Sequence, residues 1–229
     1  VIAALVAMRV PARPKVKRPV RVFHEIGEGL RYAFGSPAFR PILLMLAVTS
    51  LVGIPYMWLL PIFAKEVLGG GPTTLGYLKS GEAIGALVGA VFLASRRSFH
   101  RLGRLLRLAA VAFGAGLIAF AFSDRLWLSM VLLAWPGCAM ILQVSISNTL
   151  LQTLAHEDKR GRVMSCYTMM FMGMIPFGNL LAGVMADVVG AQTTVMIGGG
   201  ICVLGALVLG AHLPRLGEHV SPGDETVAA

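Results

Sequence analysis

The stretch LKSGEAIGALVGAVFLAS, residues 78–95, has the composition of a membrane-spanning helix that carries two charges near its start. No charged residue occurs from Ala83 to Ser95, whereas Lys79 and Glu82 precede that run. Three glycines recur at every fourth position and so share one helix face: Gly81, Gly85 and Gly89. Helices in lipid associate through close contacts at such small residues. The stretch therefore predicts a spanning helix that packs closely against a neighbour.

The composition of the whole chain is that of an integral membrane protein. Of its 229 residues, 56% are hydrophobic and 14% are charged, whereas about 25% are charged in ordinary soluble domains. The mean hydropathy is +0.77. The net charge of +9 does not indicate nucleic-acid binding, because the basic residues lie in short segments between apolar runs, without the aromatic residues that stack on bases. The expected partner is the lipid bilayer.

Six apolar stretches are long enough to cross the hydrocarbon core, which takes about 20 residues of helix. They are Ile42–Phe63, Gly76–Ser95, Leu105–Phe122, Leu126–Gln152, Val163–Asp187 and Thr193–Leu213. No sustained alternation of apolar and polar residues indicates strands, and helices satisfy their own main-chain hydrogen bonds inside lipid. The sequence therefore predicts an all-α integral membrane protein with six transmembrane helices.

The remaining segments flank this bundle, which we predict to occupy residues 42–213. Residues 1–8 have the character of the tail of a truncated transmembrane helix, so we expect the chain to be a fragment. Residues 9–41 form a basic linker, in which apolar residues recur at near-helical spacing at Val22, Ile26, Leu30 and Phe34. This spacing predicts an amphipathic helix on the membrane surface, or a linker helix without lipid contact. Residues 214–229 are predicted to form a polar tail.

Lysine and arginine are distributed asymmetrically between the two sides of the predicted bundle. Eight precede the first span, five follow the second, three follow the fourth and one follows the sixth. Only Lys65 and Arg125 fall on the opposite side. Because basic loops stay on the cytoplasmic side of a membrane, this distribution predicts a multi-pass protein of the cell membrane. Its basic loops and its C-terminus are expected to be cytoplasmic.

Three motifs are distinctive. They are EGLRYAFGSPAFRPILL at residues 28–44, DKRGRVMS at residues 158–165 and GNLLAGVMADVVG at residues 178–190. In that order, they resemble the entry to the seventh helix, the loop between helices ten and eleven, and the eleventh helix of a major facilitator superfamily transporter. The resemblance is to the enterobactin-exporter-like branch, the transmembrane secretion effectors.

This resemblance implies that the chain is the C-terminal half of a twelve-helix transporter and lacks an N-terminal six-helix half. Substrate would lie near the bilayer midplane between the halves, which would rock for alternating access. The implied function is secondary active, gradient-driven efflux of a small amphiphilic molecule such as a drug or a siderophore. The alternative is a helical membrane protein that does not transport, or an inactive truncated product.

The segment RSFHRLGRLL, residues 97–106, resembles the superfamily's loop signature G-x-x-x-D-R-x-G-R-R. Arg101, Gly103 and Arg104 match the signature, whereas His100 stands where it has Asp. The resemblance implies a gating role for the matching residues. The alternative is that the arginines only follow the positive-inside distribution.

Two further residues are gating or loop candidates. Arg162 lies in the motif that resembles the loop between helices ten and eleven. Asp187 ends the fifth predicted span on the side opposite the basic loops. An interfacial or capping role is predicted for Asp187, and a contact in a gate is the alternative.

Lys79 and Glu82 lie three residues apart and so share one helix face. They lie roughly 5 Å and 9 Å below Gly76, where the predicted span begins, and hence in its outer third. A charge near the bilayer centre costs about 2.5–3.5 kcal/mol. Glu82 is therefore predicted to face a water-filled cavity, either paired with Lys79 or titrating during transport. For Lys79 the alternative is an interfacial anchor.

Polar residues in two other spans are also candidates for lining the cavity. Gln143 and Ser147 lie four residues apart in the fourth span, with Asn148 beside them. In the superfamily's arrangement this helix borders the cavity; the alternative is hydrogen bonding between helices. Tyr56 in the first span is a weaker candidate for the cavity.

No catalytic, cofactor or metal site is predicted. The sequence has no P-loop, no HExxH motif and no CxxC pair, and its three cysteines all lie in apolar runs. The protein is therefore not expected to be an enzyme, and the energy for transport would come from a gradient.

Overall fold

A computed structural model describes residue 31, residues 34–95 and residues 102–211. Within these residues there is no strand, and six helices are long and apolar enough to cross a membrane. They are α1 (Phe39–Val67), α2 (Pro72–Ala94), α3 (Leu102–Ala121), α4 (Leu126–Leu154), α5 (Arg160–Val189) and α6 (Ala191–Gly210). The predicted all-α class and the six spanning helices are confirmed. Residues 1–30, most of the predicted amphipathic helix, Arg101 and the tail at 214–229 lie outside the described residues.

The helices are antiparallel in chain order, so the bundle has two ends. At the basic end α1, α3 and α5 begin, and the flanking cations there include Arg40, Arg104 and Arg160. At the opposite end α2, α4 and α6 begin. There Gly190, at φ +84°, joins α5 to α6 in a single residue, a conformation that glycine adopts without a steric penalty.

Helix α2 begins four residues earlier than predicted. Gly71 is extended and Pro72 follows at the first helical position, where its missing N–H costs no hydrogen bond. Glu82 is consequently the eleventh of the 23 residues of α2, about 15 Å from the helix start at 1.5 Å per residue. The prediction that Glu82 lies in the outer third of its helix is therefore wrong, because it lies at the middle.

Helix α1 is the centre of the bundle and is interrupted twice. It contacts each of the other five helices. Of the residues in its apolar membrane-spanning stretch, 61% are buried, compared with 17% in α5. The main chain widens to π-helical geometry at Thr49–Gly53 and again at Phe63–Val67. Pro55 follows the first wide turn and has no N–H to donate to the ladder. The central helix is therefore also the least regular one.

Helices α2 and α4 run parallel and touch along their main chains. Three glycines of α2 lie against carbonyl groups of α4, Gly81 against Met130, Gly85 against Ala134 and Gly89 against Cys138. A Cβ atom at any of these glycines would collide with its carbonyl oxygen. In return, Gly137 of α4 lies against the Glu82 carbonyl. The predicted close packing of the glycine face is confirmed.

Helices α3 and α6 make a second contact of the same kind. Gly114 lies against the carbonyl oxygen of Gly199, and Gly199 lies against that of Gly114. Gly198 turns instead toward α1 and packs on the Val52 carbonyl. Two closely packed helix pairs, α2 with α4 and α3 with α6, thus flank α1.

We expect Gly85→Ala to destabilise the protein by about 1–3 kcal/mol, because the added methyl overpacks the contact with Ala134. Gly76→Ala is the matched control, since Gly76 lies in the same helix with open space around it. This control should melt at or above the temperature of the unmodified protein, because alanine favours helix. Thermal unfolding in detergent measures both changes, and equal melting of the two variants would contradict the glycine contact.

Candidate functional site

Glu82 binds two donors from two helices. Its Oε1 atom accepts a hydrogen bond from the Tyr56 hydroxyl of α1 at 2.8 Å, and its Oε2 atom accepts one from the Lys79 ammonium at 3.3 Å. The Glu82 side chain is 11% exposed, whereas that of Lys79 is 41% exposed. The carboxyl group is therefore held between a buried hydroxyl and a cation that reaches the surface of the bundle.

The local sequence explains this geometry. The spacing of three residues places Lys79 and Glu82 on one face of α2. Because Gly137 has no side chain, the main chain of α4 comes into contact with the carbonyl group of Glu82. The ring of Tyr56 is fixed by an edge contact with Phe113, with centroids 6.2 Å apart. The predicted pairing of Lys79 with Glu82 is present, and Tyr56 joins it, which sequence spacing did not predict.

A second set of polar side chains lies between α1 and α4, nearer to the basic end than Glu82. The Gln143 side-chain N–H donates to the Thr49 hydroxyl at 2.8 Å, and both residues are buried. Ser50 and Ser147 are also fully buried. We call Thr49, Ser50, Gln143 and Ser147 the polar layer. Gln143 thus makes the hydrogen bond between helices that was one of its two predicted roles.

The hydrophobic core of the described residues consists of two clusters, and the polar residues of α1 lie between them. The cluster at the basic end includes Leu43, Leu46, Leu106 and Ile146. The cluster at the opposite end includes Tyr56, Phe63, Phe113 and Phe120. On α1, Thr49 and Ser50 fall between the last residue of the first cluster and the first residue of the second. The polar side chains are therefore enclosed by apolar packing at both ends.

Asn148 does not join the polar layer. It accepts a hydrogen bond from Gln152 within α4 and is only half-buried. Asn179 of α5 and Ser50 were not among the predicted site residues, although both have a buried oxygen without a hydrogen-bond partner among the described residues. A polar residue within an apolar helix was the only sequence signal that could have identified them.

The gating candidates lie at the two ends of the bundle, apart from Glu82. Gly103 and Arg104 are in the first turn of α3, and Arg162 is in the first turn of α5, all at the basic end. Asp187 is exposed near the last turn of α5 at the opposite end. Their roles in gating stay predictions.

The described residues include no cluster of three or more His, Cys, Asp or Glu side chains that could hold a metal ion. Cys138, Cys166 and Cys202 are free thiols within the helices. The chemistry of the site therefore consists of a carboxyl group, a phenol, an ammonium group and neutral hydrogen-bonding side chains.

Six spanning helices with a buried carboxyl group at the middle of α2 fit a half-bundle of the major facilitator type. A sequence profile of the transmembrane secretion effectors matches residues 1–225, and the chain belongs to this family of the major facilitator superfamily. The resemblance predicted from the three motifs is thereby confirmed.

Curated relatives agree with this assignment. The chain is 26% identical over 203 residues to the uncharacterized MFS-type transporter YfmI of Bacillus subtilis, covering 86% of this chain and 50% of that protein. It is 30% identical over 195 residues to the multidrug efflux pump Tap of Mycolicibacterium fortuitum, covering 84% and 47%. With the staphyloferrin A transporter of Staphylococcus aureus the identity is 27% over 156 residues, covering 66% and 39%. The chain spans half or less of the length of these relatives.

We expect Tyr56→Phe to lower the free energy of unfolding by about 1.5–3 kcal/mol, because Glu82 loses a hydrogen bond that a charged group accepts. Tyr77→Phe, at a half-exposed tyrosine of α2, is the control and should be close to neutral. Combining Tyr56→Phe with Glu82→Met in a double-mutant cycle measures the coupling between the two side chains. Additive effects in chemical denaturation would show that the hydrogen bond contributes nothing to stability.

Proposed function

We propose that the chain is the C-terminal half of a secondary active transporter that uses a gradient to export a small amphiphilic molecule. The observation that carries the proposal is the buried carboxyl group of Glu82, held at the middle of α2 by Tyr56 and Lys79. A carboxyl group in this position is costly unless it is paired. Relatives that are a multidrug efflux pump and a staphyloferrin A transporter support this function.

The two oxygens of Glu82 have different surroundings, which suggests how the group works. Oε1 is bound by the buried hydroxyl of Tyr56, whereas Oε2 faces Lys79, whose side chain is partly exposed. A proton would therefore be taken up at Oε2. Protonation removes the negative charge that holds Lys79, so the ion pair breaks while Tyr56 still donates to Oε1. Coupling then follows if substrate binding and protonation at this group exclude one another.

A second six-helix half is the proposed partner of this chain. The apolar spanning stretch of α5 is the least buried among the six helices. An open depression of about 500 Å³ lies on the first half of this helix. It is lined by Gly161, Met164, Ser165, Thr168 and Met169. Methionines adapt their shape to varied apolar ligands. This face of α5 would border a substrate cavity between the two halves.

We expect Glu82→Gln to reduce efflux driven by a pH gradient at least about tenfold, because the neutral amide cannot exchange a proton and an interaction of about 1.5–3 kcal/mol is lost. The measurement is efflux of the fluorescent amphiphilic cation ethidium from vesicles that contain the protein expressed from its complete gene.

Glu66→Gln is the matched control, since Glu66 is an exposed glutamate at the end of α1 and the chemical change is identical. It should leave efflux unchanged. If Glu82→Gln retained the full dependence on the pH gradient, the proposed coupling role would be wrong.

The basic end of the bundle is proposed to face the cytoplasm. In a background without the native cysteines, we expect Thr73→Cys to react with a membrane-impermeant maleimide added to intact cells. Asp158→Cys should react only after the cells are opened. Both positions are exposed, Thr73 at the opposite end and Asp158 at the basic end. The reverse pattern of labelling would overturn the proposed orientation.

A further inference from the structure

Many hydroxyl groups in the spanning helices can be satisfied within their own helix. Several donate to the carbonyl oxygen one turn earlier in their own helix: Ser80, Thr149, Ser165, Thr168 and Thr194. This local bond satisfies a hydroxyl group where no water is present. Ser50 and Ser147 do not form it, and their oxygens have no hydrogen-bond partner among the described residues. Both residues are fully buried, so bulk water does not reach their hydroxyls.

Two side-chain amide oxygens also lack a hydrogen-bond partner among the described residues. Gln143 donates its side-chain N–H to Thr49, but its Oε1 atom is buried without a partner within the described ranges. The Oδ1 atom of Asn179 on α5 is buried and unpaired as well. Buried polar atoms in native proteins are almost always hydrogen-bonded to protein or to ordered water. Four unpaired atoms on three adjoining helices therefore need a common explanation.

Contacts relate three of these residues to the first interruption of α1, and Ser147 lies one turn from Gln143 on the same face of α4. Thr49 and Ser50 begin its first π-helical turn, and Gln143 binds Thr49 directly. Gly178, the residue before Asn179, packs against the Leu51 carbonyl and the ring of Pro55. Pro55 has no N–H to donate to that carbonyl, which is its usual partner one turn earlier. The main chain at this point is thus a further acceptor facing α5.

We propose that the polar layer, together with Asn179, binds ordered water between α1, α4 and α5. A water molecule donates two hydrogen bonds and accepts two. Water molecules at this site can donate to the oxygens of Gln143 and Asn179 and accept from the hydroxyls of Ser50 and Ser147. Bound water makes on average about three such bonds to buried polar groups. A further water molecule can donate to the Leu51 carbonyl, to which Pro55 has no N–H to donate. This inference is independent of the transport function.

The direction of a stability change tests the proposal. In the protein expressed from its complete gene, Ser50→Ala and Ser147→Ala should each lower the melting temperature by about 2–4 °C, because a hydrogen bond to water is lost. If the site is dry, removal of an unpaired hydroxyl raises the melting temperature instead. Ser129→Ala is the control for losing a known bond, since Ser129 is equally buried and donates to Ser123 at 2.9 Å.

A second measurement needs no variant and so does not depend on folding of the mutants. X-ray hydroxyl-radical footprinting oxidises buried side chains that lie next to bound water. Phe113 and Phe120 are a matched pair, both fully buried on α3, but Phe113 packs against Gly53 in the interrupted turn. Oxidation of Phe113 severalfold above that of Phe120 is the expected result. Equal protection of both rings, or a rise in melting temperature for both alanine variants, would overturn the proposal.

Discussion

The contact between the main chains of α2 and α4 fixes the position of the site. Because Gly81, Gly85 and Gly89 lack side chains, the two helices approach until carbonyl groups of α4 touch the glycine face. Gly137 of α4 adds a further main-chain contact, because it lies against the carbonyl group of Glu82. Lipid provides no hydrophobic drive for such an association, so its close van der Waals contacts must hold the pair together. Glu82 is therefore carried on a rigid support, with its side chain directed toward α1.

Helix α1, unlike the pair of α2 and α4, is tied to its neighbours by side-chain hydrogen bonds. It contacts all five other helices, but its ladder of main-chain bonds is interrupted next to Pro55. Two buried side-chain hydrogen bonds lie on either side of this interruption, one from Gln143 to Thr49 and one from Tyr56 to Glu82. Both tie α1 to the rigid pair of α2 and α4. The two segments of α1 are thus anchored separately, and Glu82 binds the segment that begins at Tyr56.

Features that depend on length or on helical spacing were predictable from the sequence. The six spans follow from apolar length, the glycine face from the period of four, and the Lys79–Glu82 pair from a spacing of three. The depth of Glu82 was not predictable, because it depended on Pro72 starting the helix four residues early. The Tyr56–Glu82 bond was also out of reach. It joins residues 26 positions apart, and their contact depends on how α1 crosses α2.

The same distinction applies to the buried polar atoms. Gln143 and Asn148 have similar side chains in the same helix, yet one binds across to α1 and the other pairs with Gln152 one turn along. Sequence spacing shows that both are polar residues in an apolar helix, but which one faces a neighbour depends on the rotation of α4 in the bundle. That rotation is set by the contact of α4 with the glycines of α2.

Access to Glu82 follows from the contacts around it. On the side of α1, the carboxyl group is bound by the Tyr56 hydroxyl, whose ring contacts Phe113. Lys79 is the remaining neighbour with a known contact, and it is the one with substantial exposure. In the proposed mechanism, a proton or a cationic group therefore replaces Lys79 at Oε2 rather than Tyr56 at Oε1. The contact with Lys79 is longer than that with Tyr56, at 3.3 Å against 2.8 Å, and it is also the more exposed, which agrees with the proposed exchange at Oε2.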